Sequence, residues 1–176
     1  MAELVSKRYA SGLFEAGLEL NKSDEFREEA SFIRKVLSQE PELKVVLEHP
    51  KIGKDEKKRI LSHIFKDSIS KEMLNFLFVV VDKRRERYIE GIFDYYMYLY
   101  NEEHNIVEAT AITAVPMDEK EKKKLTVILS NKTGKNVKIK NVVREDILGG
   151  VMLKIENKVI DGTVKGQLES LERSLK

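Results

Sequence analysis

Through the first hundred residues, apolar positions return with the 3.6-residue period of helices. Val5, Tyr9, Gly12, Ala16 and Leu20 form one stripe, and Ala10, Phe14 and Gly17 form another. The two stripes predict a helix from about residue 2 to 20 with more than one weakly polar face. Asn21-Lys22-Ser23 ends it, and Ser23 or Asp24 is expected to cap a second helix carrying Phe26, Ala30, Ile33 and Leu37. Pro41 suits the first turn of a short third helix ending near Glu48. His49-Pro50-Lys51-Ile52-Gly53 reads as a turn, after which Lys54 or Asp55 opens a fourth helix with Ile60, Leu61 and Ile64 facing inward. Ser70 caps a fifth, and a sixth runs from about Glu86 to Glu103 with Tyr88, Ile89, Ile92, Phe93, Tyr96 and Leu99 along it. Six helices on short connections predict an antiparallel bundle.

The fifth helix departs from simple amphipathicity. Residues 73–81 read MLNFLFVVV, with Asn75 the lone polar side chain, and DKRRER follows. Met73, Leu74, Leu77 and Val81 fall within one arc, enough to face the bundle. Asn75 and Val79 lie on the opposite arc, with Phe76 beside them. Either both arcs are buried in the bundle or one belongs to something else.

At Asn105 the period changes to two. Val107, Ala109, Ala111, Thr113 and Val115 face one way while Glu108 and Thr110 face the other, the alternation of a strand. Asp118 followed by Glu121 is a capping box for a helix bearing Leu125, Ile128 and Leu129 and closed by Gly134. Further strands are expected around Val137–Lys140, at Gly150–Ile155 and at Val159–Ile160, the last pair joined by a turn at Glu156-Asn157-Lys158. Val164, Leu168, Leu171 and Leu175 mark one stripe of a terminal helix. The expected fold class is α+β: a six-helix antiparallel bundle over residues 1–105, then a small α+β domain over 106–176.

Composition narrows the chemistry. The sequence has no cysteine, which removes disulfides, thiolate metal sites and thiol nucleophiles together. His49, His63 and His104 are scattered, and none lies three or four residues from a second imidazole. Thr133-Gly134-Lys135 lacks the preceding glycine of a phosphate loop, and Gly149-Gly150 precedes a strand instead of a helix. No catalytic residue, metal or cofactor is predicted. The opening apolar run of the fifth helix is far short of the ~18–20 residues a membrane span needs, so no direct membrane insertion is expected. Nor is a secretory signal read at the N-terminus. Residues 1–105 carry 18 Lys/Arg against 20 Asp/Glu and residues 106–176 carry 14 against 10, together the chain's 32 and 30. The basic second half raises an RNA- or ribosome-associated binding protein as an alternative. The lysines at 120 and 122–124 alternate with acidic residues, however, and read as a solvated helix face. Phe93, Tyr96 and Tyr100 recur at core spacing, and no nucleic-acid partner is expected.

The run from Ile147 to Leu171, ILGGVMLKIENKVIDGTVKGQLESL, resembles the C-terminal signature of the delta subunit of rotary ATP synthase. The mitochondrial counterpart of that family is the oligomycin-sensitivity-conferring protein. The signature pattern is a Gly-Gly or Ala-Gly pair, an apolar strand, a turn, then Val-Ile-Asp-Gly-Ser/Thr-Val and Gly-x-Leu. Gly149, Gly150, Asp161, Gly162, Thr163 and Gly166 are its matching positions here, and their residue types suit structural duties. Arg8-Tyr9-Ala10 with Leu13-Phe14 resembles the family's first helix, and Asn75 through Arg85 its fifth. Two positions depart: Lys83-Arg84-Arg85 stands where Asn-Gly-Arg is frequent, and Asn105 replaces a glycine before the first strand.

The resemblance implies a non-catalytic stator subunit that ties the catalytic head to the peripheral stalk and resists rotor torque. It implies that the first and fifth helices form a groove for the N-terminal helix of an alpha subunit. The groove positions would be Tyr9, Gly12, Asn75 and Val79, flanked by Val5, Ala16 and Phe76. It further implies that residues 106–176 meet the peripheral-stalk b subunits. The implied place is the cytoplasmic face of a bacterial cell membrane, held peripherally through the complex.

Overall fold

A computed structural model describes residues 2–155 and 158–166, and over them the chain is α+β. Six α-helices precede the first described strand: α1 (Ala2–Glu19), α2 (Ser23–Gln39), α3 (Pro41–Glu48), α4 (Lys54–Phe65), α5 (Lys71–Asp82) and α6 (Ile89–Glu103). The chain divides into two compact units, Met1–Tyr100 and Asn101–Lys176.

In the first unit, Phe26, Ile33, Leu61, Phe65, Met73, Leu77, Val80, Ile92, Phe93 and Tyr96 are almost wholly excluded from solvent. The inward stripe of α2 is the expected one, Phe26, Ala30, Ile33 and Leu37, joined by Glu29. The Glu29 carboxylate reaches the start of α5, where Oε2 accepts the Ser70 hydroxyl at 2.9 Å and Oε1 accepts the Ser70 N–H. Ser70 in turn caps α5, its oxygen accepting the Met73 N–H at 3.2 Å.

Three expectations change in this unit. The N-cap of α2 is Lys22, without a side-chain cap; Ser23 and Asp24 lie within the first turn, and Asp24 accepts the Tyr100 hydroxyl. The inward stripe of α4 is Lys57, Leu61 and Phe65, while Ile64 is 37% exposed. A lysine holds this stripe because its Nζ lies 2.9 Å from Glu86 Oε1, and both side chains are 7% exposed. Glu86 itself sits in a 3-10 turn, Glu86–Tyr88, so the sixth α-helix starts at Ile89.

Both α1 and α5 end with a residue at positive φ. After α1, Asn21 has φ 54, the Asn21 N–H donates to Leu18 O and the Lys22 N–H donates to Gly17 O. After α5, Arg84 has φ 53, its N–H donates to Val81 O and the Arg85 N–H donates to Val80 O. Each pair of bonds closes a Schellman cap, which satisfies terminal carbonyls that the helix leaves unpaired.

The second unit contains β1 (Ile106–Thr113), α7 (Glu119–Thr133), β2 (Asn136–Val143), β3 (Gly150–Ile155) and β4 (Lys158–Thr163). The sheet order is β2-β1-β3-β4, with β1 and β2 parallel and both other pairings antiparallel. A parallel pair needs a crossover, and α7 supplies it. Val107, Ala109, Ala111, Val137, Leu153 and Ile155 pack with Leu129 of α7, and Leu125 closes against them. Ile128, expected inward, is 52% exposed, because Leu129 takes the central position instead. Asp118 and Glu121 form the capping box, and Gly134 at φ 68 ends α7. The return strand is longer than Val159–Ile160, since Gly150 pairs with Thr163 at its far end. Of the terminal stripe, Val164 lies in a helical turn at 164–166, and Leu168, Leu171 and Leu175 fall outside the described residues, as do Glu156 and Asn157.

Candidate functional site

The side chains of α5 divide by exposure along the two arcs. Met73, Leu77, Val80 and Val81 are buried, Phe76 is half-buried, Asn75 is exposed and Val79 is 48% exposed. An apolar residue at a helix surface is ordinary by itself. Here Val79 belongs to a continuous concave surface, a cavity of ≈ 710 Å³ between α1 and α5. All seven groove positions read from the sequence line it: Val5, Tyr9, Gly12 and Ala16 from α1, and Asn75, Phe76 and Val79 from α5.

The floor is aromatic. Tyr9 and Phe76 meet edge to face with centroids 6.5 Å apart, and Phe76 continues to Phe93 at 6.2 Å. Gly12 leaves a gap in the α1 wall, where an added Cβ would meet nothing within 4 Å. The Gly12 gap therefore has no role in packing within the unit. Gly17, by contrast, passes close to Phe26, which a Cβ would approach to 3.2 Å.

Sequence periodicity alone missed the polar rim. Arg8, Glu72, Lys83 and Arg85 also line the cavity. Lys22 Nζ lies 3.1 Å from Glu72 Oε1, which raises the lysine's pKa. The Glu72 carboxyl is held below its ordinary value, first by its own backbone N–H and then by Lys22. The signal for the cations is present as the Leu4/Arg8 spacing on α1 and as the charge run after α5. Neither cue could say which side of the helix the cations would take.

The signature residues of the second unit come together around the β3–β4 pair. Gly150 has φ 83, and a Cβ there would lie 2.4 Å from Gly162 O, so only glycine fits. Its neighbour Gly149 is not at positive φ. Leu148 is, at φ 62 and ψ −33, in a three-residue turn closed by Gly149 N–H donating to Ile147 O at 2.7 Å. Asp161 Oδ1 accepts the Thr163 N–H at 2.9 Å, and Thr163 Oγ1 accepts the Gly166 N–H at 3.0 Å. A Cβ on Gly166 would approach Asp161 Oδ2 to 2.7 Å, so this glycine makes room for the carboxylate. The Thr163 hydroxyl, then its backbone N–H, hold the Asp161 carboxyl below the ordinary range. These bonds fix the backbone at the end of β4 and the turn that follows it.

Among the described residues no group of three His, Cys, Asp or Glu side chains could hold a metal ion. No helix among them is long and apolar enough to cross a membrane.

Residues 5–175 match the family model described as ATP synthase delta (OSCP) subunit. A protein named ATP synthase subunit delta from Alkaliphilus oremlandii is 47% identical over 175 residues, covering 99% of this chain and 97% of the relative. The Clostridioides difficile protein of the same name is 41% identical over 176 residues, again covering 99% and 97%. The fold matches a chain in the cryo-EM structure of the Toxoplasma gondii mitochondrial ATP synthase hexamer with a TM-score of 0.74. That match covers 97% of this chain and 96% of the other at 19% identity.

Proposed function

We propose, from the premise that this chain belongs to the ATP synthase delta (OSCP) subunit family, that it joins the catalytic head to the peripheral stalk through the α1/α5 groove. It is a structural, non-catalytic part of the synthase, and its role is that of a stator link. Its mechanism is affinity under torque: the head must be held against the drag of the rotor, and the link must not let go.

The helices of residues 2–103 act as an antiparallel bundle whose groove receives the N-terminal helix of an alpha subunit. The second unit meets the b subunits of the peripheral stalk. Within the complex the chain sits at the cytoplasmic face of a bacterial membrane, held there by its partners and not by insertion. No observation favours the RNA-binding alternative over this reading: Lys122 pairs with Glu119 at 2.9 Å on the solvated face of α7.

The observation that carries the reading is the second face of α5. Asn75 and Val79 stand in solvent opposite a fully buried arc, over an aromatic floor and beside an open Gly12. Exposed small and apolar groups in a groove suit an amphipathic helix with anchors at i, i+3, i+4 and i+7. Isothermal titration of the full chain with a peptide of the cognate alpha-subunit N-terminus tests this. Wild type should bind, and Val79→Asp should bind at least tenfold more weakly with its unfolding midpoint nearly unchanged. Equal affinity, or loss of folding, would remove the groove assignment.

A further inference from the structure

We infer that the helix occupying the α1/α5 groove carries its carboxylates at one end only, the end lying over Arg8, Lys83 and Arg85. This rests on the reading that a partner helix fills the groove, and adds the chemistry of that partner.

Two contacts fix the direction of the walls. Tyr9 faces Phe76, whereas Lys22, just beyond α1, pairs with Glu72 in the first turn of α5. The helices therefore run antiparallel, and the N-terminal part of α1 lies beside the C-terminal end of α5. Arg8, Lys83 and Arg85 gather towards that end, with Glu72 at the other. From Leu4 to Leu20 the α1 wall is about 24 Å long at 1.5 Å per residue, room for roughly four turns of partner helix.

The two ends differ in charge balance. At the Glu72 end, Lys22 is shared between Glu72 at 3.1 Å and Glu25 at 3.6 Å. Among the described residues Arg8, Lys83 and Arg85 form no ion pair, and Arg85 lies over the Tyr88 ring at 5.9 Å. The turn after α5 sorts the basic run. With Arg84 at positive φ, Lys83 and Arg85 line the groove while Arg84 lines a separate cavity with Lys51 and Arg87. Three cations around one end of an apolar trough, against two carboxylates sharing one lysine at the other, complement a helix that is acidic at one end only. Rim charges of this kind set register and partner choice, and their effect is screened by salt.

The test is fluorescence anisotropy with the full chain and a labelled peptide of the cognate alpha-subunit N-terminal helix, at 50 and 500 mM salt. Arg8→Glu/Lys83→Glu should weaken binding about tenfold at low salt, and the gap should close to about twofold at high salt. A peptide with the carboxylates of its acidic end changed to lysine should bind the reversed variant better than wild type. Arg8→Gln/Lys83→Gln, which alters the fold least, should fall between. If the reversed variant stays within twofold of wild type at low salt while Val79→Asp fails to bind, the charge assignment is overturned and the groove stands. If Val79→Asp also binds as wild type does, the groove reading falls and this inference with it.

Discussion

The Tyr9 and Phe76 rings meet edge to face with centroids 6.5 Å apart and planes at 69°, tying α1 to α5 at the base of an open groove. Phe76 passes the contact inward to Phe93, so the floor of the groove is also the roof of the core. A trough built this way keeps its shape without an occupant. A partner helix then loses less free energy to ordering the site than it would on a mobile surface.

Gly12 separates folding from binding. A helix interior prefers alanine or leucine to glycine by up to about 1 kcal/mol, and nothing lies within 4 Å of the Cβ a substitution would add. Gly12→Leu should therefore raise stability to urea by about 0.5–1 kcal/mol while filling the groove and weakening the alpha-subunit peptide at least tenfold. A stabilised variant that still binds at wild-type affinity would mean that Gly12 is not at the contact.

The buried Lys57–Glu86 pair governs how α4 attaches to the turn before α6. Removing one charge strands the other in the interior, at a cost of about 3–5 kcal/mol. Glu86→Leu alone should lose that much in urea unfolding. The double variant Lys57→Met/Glu86→Leu should recover to within about 1 kcal/mol of wild type, because two apolar side chains leave no unpaired charge. Additive losses in the double variant would contradict a coupled pair.

Arg84 occupies the left-handed position of a Schellman cap, where a side chain costs about 1 kcal/mol relative to glycine. Arg84→Gly should raise the thermal midpoint by a few degrees, and Arg84→Val should lower it. An unchanged midpoint in both would indicate that the turn relaxes to negative φ in solution.

Asp161 makes stability fall in acid. Its carboxyl titrates below the ordinary aspartate value in the folded chain because Thr163 bonds the charged form. The native state therefore binds this proton less readily than the unfolded state. The stabilisation is present above the unfolded pKa of roughly 3.9 and is lost as pH falls through the folded value. Melting of wild type and Asp161→Asn from pH 7 to pH 2.5 should show a gap that closes below about pH 4. A gap independent of pH would assign the loss to packing against Gly166 instead.

Much of this molecule can be read from its residues, and the unreadable parts share a cause. The six helical stretches, the change of period at Asn105 and the capping box at Asp118 depend on local pattern, and local pattern is what a sequence displays. The two-faced character of α5 was equally visible, since Asn75 and Val79 sit opposite Met73 and Leu77 at any helical period. Lys57 was not legible as a core residue, because its partner Glu86 lies 29 positions away and a lysine breaks an apolar stripe. Asp24 reads as a cap for the same reason, since its bond to Tyr100 is a tertiary contact. The split of Lys83 and Arg85 from Arg84 follows from one backbone angle that an arginine does not advertise.

The most direct measurement is two-dimensional amide NMR of the full chain, titrated with the cognate alpha-subunit N-terminal peptide. The largest shifts should fall at Val5, Tyr9, Gly12, Ala16, Asn75, Phe76 and Val79 and extend to Lys83 and Arg85. Residues 106–166 should remain near their free positions. Shifts centred on residues 106–166, or none at saturating peptide, would contradict the groove as the point where this chain holds the head.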